Sequence, residues 1–311
     1  MTVVVTPYVF EQGGPLLVDE IRQRRPDIDF EHSDEDDVLE AVADAEIVVT
    51  GRLPEDVLAA AADLRWVQAL SAGTDAYDHD ALAERGVALT TVSGIHARPV
   101  AQQVMGYLFH FERRFDRAIA QRRNREWERY VAGELGDRTV GIVGVGAIGS
   151  QIAEYCTAFG ARTVGVKRDP TDAPATLDAV YGPADLERVL AESDYLVLAC
   201  PLTDETRGLI DADALATVSD DSVLVNISRG SVVDQRALEV ALEDDELRGA
   251  ALDVFEEEPL PEDSPLWDHD NVLVTPHVAG ATPHYWRRCA DVFVRNYDRF
   301  FEGADLENRV V

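Results

Sequence analysis

The chain has 311 residues, enough for one large domain or two of ordinary size. It carries 59 acidic against 28 basic residues, a formal net charge of −31 that is spread along the whole length. A field this negative argues against nucleic acid, where counterion release needs clustered Lys and Arg, and against anionic membrane surfaces.

From the N-terminus, the first hundred residues alternate short apolar runs with helical patterns. The runs TVVVT, AEIVVT, RWVQAL and GVALTTV predict strands; LLVDEIRQR, DVLEAVADA and EDVLAAAA predict helices. Such alternation predicts a parallel sheet covered on both faces. The start, MTVVVTPYVF, has no basic leader region and reads as a first strand. A single long helical pattern is expected from about Arg98 to Tyr130. Its polar second half, RAIAQRRNREWERY, suits an arm reaching to a partner subunit or a solvated helix end.

A second α/β run starts at Arg138, with expected strands TVGIVG, ARTVGV, DYLVLA, SVLVNI, GAALDV and NVLVTP. The tail from Thr282 to Glu302 reads as one helix. The expected fold class is α/β: two Rossmann-like or flavodoxin-like domains with parallel sheets and an interdomain cleft. Ligands of such sheets sit at the carboxyl ends of the strands. No apolar run has the length of a membrane span.

Three cysteines, Cys156, Cys200 and Cys289, are odd in number, match no metal spacing and lie in apolar surroundings. They predict buried free thiols in a reducing, cytoplasmic compartment, and no metal site.

The stretch TVGIVGVGAIGSQ places Gly144, Gly146 and Gly149 in G-x-G-x-x-G spacing after an apolar run and at the start of a helical pattern. A second strand follows at βαβ distance, which gives the motif its force. Gly144 permits a tight turn, Gly146 lets the backbone approach a diphosphate, and Gly149 lets the helix pack on the strand. The free N–H groups around Ala147 and Ile148 then face the diphosphate. A methyltransferase of similar build remains an alternative here, since NAD and S-adenosylmethionine sites both favour a carboxylate at the end of the second strand.

That position is Lys167, the only lysine of the chain; the other 27 of its 28 basic residues are arginine. Lys167 and Arg168 would attract a 2′-phosphate that a carboxylate would repel. NADP(H) is therefore expected over NAD(H), with Asp169 nearby as a tempering charge. Carboxylate-rich, lysine-poor surfaces resemble those of extreme halophiles. Self-repulsion among so many carboxylates predicts a fold that needs high salt.

Further motifs are DYLVLACPLTDETRGLI (194–210), SVLVNISRGSVVD (222–234) and GAALDVFEEEPLPEDSPLWDHDNVLVTPHVAGAT (249–282). With the glycine turn, SAGTD (71–75) and SGIHARPVAQQVMGYLF (93–109), they strongly resemble the D-2-hydroxyacid dehydrogenase family over essentially the whole chain. The reaction of that family needs a cation to hold the carboxylate and polarise the ketone, an acid to protonate the alkoxide, and a group that keeps the acid charged and aimed. Arg229 in NISRG suits the first need, since its fork engages two oxygens. His277 in TPHVAG suits the second and stands where the family's acid/base histidine stands, unlike His96, His269 and His284. Glu258 suits the third; the family's glutamate directly precedes a proline, which selects it over Glu256 and Glu257.

Glutamate at this point argues against formate dehydrogenases, which carry glutamine, but phosphite dehydrogenases keep all three residues. The resemblance further implies that Asp253 holds the nicotinamide carboxamide and that Ile227 and Ser228 lie against the ring. Thr206 would touch the diphosphate, and Cys200 and Pro201 would face the adenosine ribose. The backbone of Ser71, Ala72 and Gly73 would bind the substrate carboxylate. Tyr8, Leu70 and Trp286 are candidates for lining the substrate side-chain pocket. Many relatives read V-A-E where this chain has Val100-Ala101-Gln102.

Family topology implies a substrate-binding domain of residues 1–98 plus 281–311 and a dinucleotide-binding domain of residues 99–280. It also implies closure of a hinge between them and a homodimer. The expected activity is reversible reduction of a 2-keto acid to the D-2-hydroxy acid. The alternatives are a nucleotide-sensing binding protein of the same family and a glyoxylate or hydroxypyruvate reductase specificity, which the SGIHA segment resembles.

Overall fold

The computed structural model describes residues 2–9, 13–74 and 76–311. The contacts divide the chain into two compact units, Met1–Ile95 with Thr282–Val311, and His96–Ala281.

The first unit is built on β1 (Thr2–Val5), β2 (Phe30–His32), β3 (Ala45–Thr50), β4 (Trp66–Ala69) and β5 (Ala88–Thr90). All pair in parallel in the order β2-β1-β3-β4-β5. Between the strands run α1 (Gly13–Arg24), α2 (Val38–Ala41), α3 (Glu55–Ala60) and α4 (His79–Glu84). The strands are apolar on both sides because both faces are covered. Val3, Val5, Ile47 and Val49 pack toward α1, while Val4, Val48, Val67 and Leu89 pack toward α2–α4.

The chain returns to this unit at its end, as α11 (Tyr285–Glu302). The reason is aromatic. Trp66 on β4 is fully buried, stacks on Phe293 at 5.4 Å and Phe300 at 5.6 Å, and gives its indole N–H to Thr90 Oγ1 at 2.8 Å. A buried indole needs both an apolar cover and a hydrogen-bond acceptor, and the tail helix and β5 supply one each.

The second unit carries β6 (Thr139–Val143), β7 (Arg162–Val166), β8 (Ala179–Tyr181), β9 (Tyr195–Leu198), β10 (Val223–Asn226), β11 (Gly249–Leu252) and β12 (Val272–Val274). They are all parallel, in the order β12-β11-β10-β9-β6-β7-β8. The order reverses between β6 and β9, the switch point where doubly wound sheets open a crevice at their carboxyl ends. One face is covered by α5 (Ala97–Glu112) and α7 (Ala147–Ala158). The other is covered by α8 (Leu186–Glu192), α9 (Ala212–Thr217) and α10 (Gln235–Glu243).

Each expected strand is present, but the single helix expected from Arg98 to Tyr130 is not. It divides into α5 and α6 (Phe115–Asn124), with Arg114 between them at a left-handed φ of 54°. No residue of α6 is buried, and Trp127 and Val131 beyond it are 96% and 94% exposed. β2 and β8, three residues each, were also not anticipated. No helix among the described residues is long and apolar enough to cross a membrane. The three cysteines are free and buried, and burial pushes the Cys200 thiol up to about 11.

At the amino ends of β6, β9 and β11 the second unit buries a charge. Glu112, the last residue of α5, is 2% exposed. It receives Nε and Nη2 of Arg138 at 3.1–3.2 Å and the Tyr195 hydroxyl at 2.6 Å, with Arg248 Nη1 at 3.9 Å. Burial alone would raise this carboxyl, but the bonds from Tyr195 and Arg138 and the two arginine charges outweigh it and hold it below its ordinary value of 4.5. A depressed folded value stabilises the fold above the ordinary value and loses that contribution as pH falls through the folded one. Glu112→Gln is expected to cost roughly 2–3 kcal/mol at neutral pH, because Arg138 and Arg248, whose side chains are 31% and 26% exposed, lose their buried counter-charge. Thermal melts should show the gap between wild type and variant narrowing toward acid. A gap independent of pH would show that the carboxylate charge plays no part.

Candidate active site

Because the sheet of the second unit is wholly parallel, the segments that follow its strands leave from one edge. Gly144 follows β6, Lys167 follows β7, Cys200 follows β9 by two residues, Ile227–Arg229 follow β10, Asp253 follows β11, and Thr275–His277 follow β12. The expected cofactor and catalytic residues from 144 to 277 therefore collect at this edge.

The glycine turn is tight for steric reasons. Gly144 has φ +100°, and a Cβ there would lie 2.5 Å from Cys200 N and 2.6 Å from its Cα. Only glycine lets the turn after β6 lie on the chain leaving β9. A Cβ on Gly149 would lie 2.2 Å from the Gly144 carbonyl oxygen. Gly146 is different. It is the N-cap of α7 with ordinary extended angles, no side chain caps the helix there, and a Cβ would meet nothing within 4 Å. A twelve-residue helix thus presents its N-terminus to open space, with Ala147 exposed and Ile148 half-buried beside it. These features fit a dinucleotide diphosphate, which uses bare helix N–H groups and leaves no room for a side chain.

Lys167 gives its backbone N–H to Tyr181 O at 3.0 Å, and its ammonium lies 3.0 Å from Asp172 Oδ2 while also bonding the Asp172 carbonyl. Arg168 is exposed. Asp169 spends one oxygen on a turn: Oδ1 accepts from Thr171 N at 3.0 Å and Thr171 Oγ1 at 2.6 Å. Those bonds, with the Lys167 charge, hold its carboxyl below the usual range. Beyond β9, Pro201 is exposed and Cys200 buried. The Thr206 hydroxyl donates to Pro201 O at 2.6 Å and accepts from Thr203 N at 2.7 Å. Its proton is committed to shaping this loop, so contact with a diphosphate requires an exchange of partner.

After β10, the side chain of Asn226 builds the turn that carries Arg229. Its Oδ1 accepts from Ser228 N at 3.0 Å and Ser228 Oγ at 2.8 Å, and its Nδ2 donates to Arg229 O at 3.1 Å. Ile227 and Ser228 are buried, whereas Arg229 is half-buried and gives Nη1 to Ser228 O at 2.8 Å. A Cβ on Gly230 would fall 1.8 Å from Phe255 C. The Arg229 turn is therefore pressed directly on the loop after β11.

That loop holds Glu258. Its Oε1 accepts from Phe255 N at 3.0 Å, and its Oε2 lies 2.8 Å from His277 Nδ1. A carboxylate can only accept, so Nδ1 carries the proton and Nε2 is the ring nitrogen left for other work. The two side chains are 36% and 52% exposed, open enough for a small molecule to reach them. His277 has a left-handed φ of 53°, and its N–H bonds to Asp253 O at 2.9 Å. The Asp253 carboxylate is 2% exposed and accepts from Thr275 Oγ1, Val278 N and Ala279 N at 2.5–2.9 Å.

In the first unit, Ser71–Gly73 follow β4. Ser71 Oγ donates to Gly73 O at 2.6 Å, and Ser71 O accepts from Val92 N at 3.2 Å. Asp75, the last residue of the SAGTD stretch, lies outside the described residues. Of the pocket candidates, Leu70 is fully buried in that unit's core, which closes it to a substrate. Tyr8 carries the Arg52 guanidinium 4.5 Å above its ring, and Trp286 packs where a Cβ on Gly13 would stand. Gln102 is exposed, and the described structure gives it no role.

Sequence reasoning missed Asn226, Thr275, Tyr107 and Gly230. Two carried a readable signal: Asn226 and Thr275 are polar residues at the carboxyl ends of apolar strands, where burial demands a partner.

Comparison with known proteins gives the family. Residues 105–279 match the family model "D-isomer specific 2-hydroxyacid dehydrogenase, NAD binding domain". A glyoxylate reductase of Korarchaeum cryptofilum is 34% identical over 285 residues, 88% of this chain and 85% of that protein. A D-3-phosphoglycerate dehydrogenase of Methanocaldococcus jannaschii is 30% identical over 88% of this chain, but this chain spans only 53% of its length. Among solved structures, a D-isomer specific 2-hydroxyacid dehydrogenase of Xanthobacter autotrophicus, in complex with NADPH and MES, superposes with a TM-score of 0.88. It is 29% identical, covering 99% of this chain and 98% of that one. The chain belongs to the D-isomer specific 2-hydroxyacid dehydrogenases, NAD(P)-dependent oxidoreductases that interconvert 2-hydroxy and 2-keto acids.

Proposed function

We propose that the chain works as a cytoplasmic 2-keto acid reductase that prefers NADPH and forms a homodimer. The observation that carries the chemistry is the 2.8 Å contact of His277 Nδ1 with Glu258 Oε2, the loop of Glu258 being packed against the Arg229 turn. When bound, the nicotinamide supplies the hydride. Arg229 holds the substrate carboxylate and polarises the ketone. His277 gives a proton from Nε2 to the forming alkoxide, and takes one back in the oxidative direction. Glu258 stabilises the imidazolium and fixes the tautomer.

On the cofactor, Asp253, Ile227 and Ser228 are assigned to the nicotinamide end, Cys200 and Pro201 to the adenosine ribose, and Thr206 and residues 144–149 to the diphosphate. The preference for NADPH rests on Lys167 and Arg168. Lys167 is paired with an Asp172 whose side chain is 89% exposed. Such a pair is worth little in water, so a 2′-phosphate can replace it. Asp169 has Oδ1 engaged by its turn, which leaves only Oδ2 for a ribose hydroxyl. The dimer rests on the segment around α6, where Phe115, Ile119, Trp127 and Val131 expose apolar surface.

The deciding experiment is steady-state reduction of a panel of 2-keto acids, glyoxylate and hydroxypyruvate included, in molar salt with NADPH and NADH side by side. Faster turnover with NADPH is expected. Preference for NADH makes Lys167 incidental. Absence of turnover from folded, nucleotide-binding protein replaces the reductase with a sensor.

Gly146→Ala should leave the thermal melt of the free protein unchanged, since the added methyl meets nothing within 4 Å. Its Kd for NADPH, read by fluorescence titration, should rise by about tenfold or more as the methyl takes the diphosphate's place. Unchanged affinity would mean that the diphosphate lies elsewhere. Glu258→Gln should lower kcat for reduction by about tenfold or more, because the imidazole loses the carboxylate that lies 2.8 Å from its Nδ1 and aims it. Wild-type kcat would assign Glu258 to the surface.

A further inference from the structure

The loop that carries His277 has an anchoring problem. It leaves β12, the edge strand of its sheet, so only β11 supports it from the side. His277 itself holds a left-handed backbone conformation, which persists only where the surroundings overdetermine it. The Asp253 carboxylate meets this need by gathering Val278 N and Ala279 N.

A chain of side chains from α5 reaches that same carboxylate. Gln103 Nε2 lies 3.0 Å from the Tyr107 hydroxyl, which lies 2.6 Å from Thr275 Oγ1, which lies 2.5 Å from Asp253 Oδ1. Proton counting fixes its direction. The carboxylate has no proton to give, so the Thr275 hydroxyl donates to it. The threonine oxygen must then accept from Tyr107, and the tyrosine oxygen from the Gln103 amide. Burial, and to a lesser degree the Asp253 charge, push the Tyr107 phenol up, so it remains a donor.

We infer that Tyr107 and Thr275 are positioning residues for His277: their donor chain fixes the Asp253 carboxylate, which holds residues 278 and 279 and thereby aims the imidazole. The inference rests on the reading of His277 as the acid/base. Tyr107 of α5 and Asp253 just past β11 meet at the hydroxyl oxygen of Thr275 just past β12, so the ring is held by the fold as well as by Glu258. A bond chain of this kind is cooperative, and loss of any hydroxyl loosens the whole.

The test uses the full chain with Thr275→Val, Thr275→Ser, Tyr107→Phe, the Thr275→Val/Tyr107→Phe double variant, and His277→Gln as control. Thr275→Val and Tyr107→Phe should lower kcat by about tenfold to a hundredfold, the effect of a small misplacement of a catalytic group, with KM changed less than about twofold. The double variant should be little worse than Thr275→Val alone, because both cut one chain. Thr275→Ser, which keeps the hydroxyl, should restore kcat to within about threefold of wild type.

In cofactor-free protein, amide exchange of the 275–281 segment should quicken by roughly tenfold in Thr275→Val and Tyr107→Phe, while α7 stays unchanged. Wild-type kcat, or unchanged exchange over 275–281, overturns the inference. Equal losses in Thr275→Ser and Thr275→Val also overturn it, because volume and not the hydroxyl would then matter. Should Thr275→Val fail to fold, Tyr107→Phe, which deletes one oxygen, decides alone. Turnover retained by His277→Gln overturns the acid/base reading itself. An inactive His277→Gln beside unaffected Tyr107→Phe and Thr275→Val overturns only the positioning.

Discussion

A carboxylate buried in a protein interior must be fully hydrogen-bonded, and the way Asp253 meets that demand shapes the site. At 2% exposure it cannot turn to water. The available donors are a hydroxyl at the end of β12 and two backbone N–H groups just past it. Satisfying the anion therefore bends residues 275–279 around it and leaves His277 at the apex. On the other side, Asp253 N donates to Asn226 O at 3.0 Å. Asn226, 1% exposed, repeats the device one strand over, folding residues 226–229 around its amide. Two buried polar side chains at neighbouring strand ends thus each set the loop that bears one candidate catalytic group. The sheet, being parallel, brings both to the same edge.

Sterics then lock these loops together. Gly230 lets the Arg229 turn touch the backbone of Phe255 and Glu256, three residues or fewer before Glu258. Gly144 does the same between the turn after β6 and the chain after β9, across the switch point. In both places backbone lies on backbone, where a side chain would hold the loops apart. The contacts are short and apolar or backbone-mediated, so their geometry is insensitive to salt. That is consistent with placing precision in packing and leaving charge to contact-range pairs such as Glu258 with His277.

How far the sequence could be read follows from where the information resides. Strands β6, β7, β9, β10 and β11 of the second unit were legible because each is a four- or five-residue, largely apolar run, as in TVGIVG and SVLVNI. The glycine turn was legible because its spacing is fixed by local backbone geometry. The division of α5 from α6 was not, since Phe115 and Ile119 continue the helical apolar pattern through Arg114. The break reflects a distant demand: Glu112 turns inward to Arg138 and Tyr195, and its carbonyl accepts from Gly133. Edge strands β2 and β8 are three residues long and carry no alternation to detect. Tyr107 was invisible for the same reason as Glu112, because its partner stands 168 residues away. Sequence pattern reports a residue's own element well and its cross-chain partner poorly.

Net charge places a last constraint on how such a site can recruit ligands. A chain of −31 repels both an anionic keto acid and a dinucleotide at long range. Screening falls from about 10 Å in 0.1 M salt to about 3 Å in 1 M, so salt removes the repulsion of remote carboxylates first. On the proposed reading, what survives at that length are the donors assigned to ligand contact: the bare N-terminus of α7, the Arg229 fork and the ammonium of Lys167. They would act once the ligand has arrived and would not steer it there. An acidic surface is compatible with anion binding when recognition is compressed into the last few ångströms, where contact-range donors outweigh the screened field of remote carboxylates.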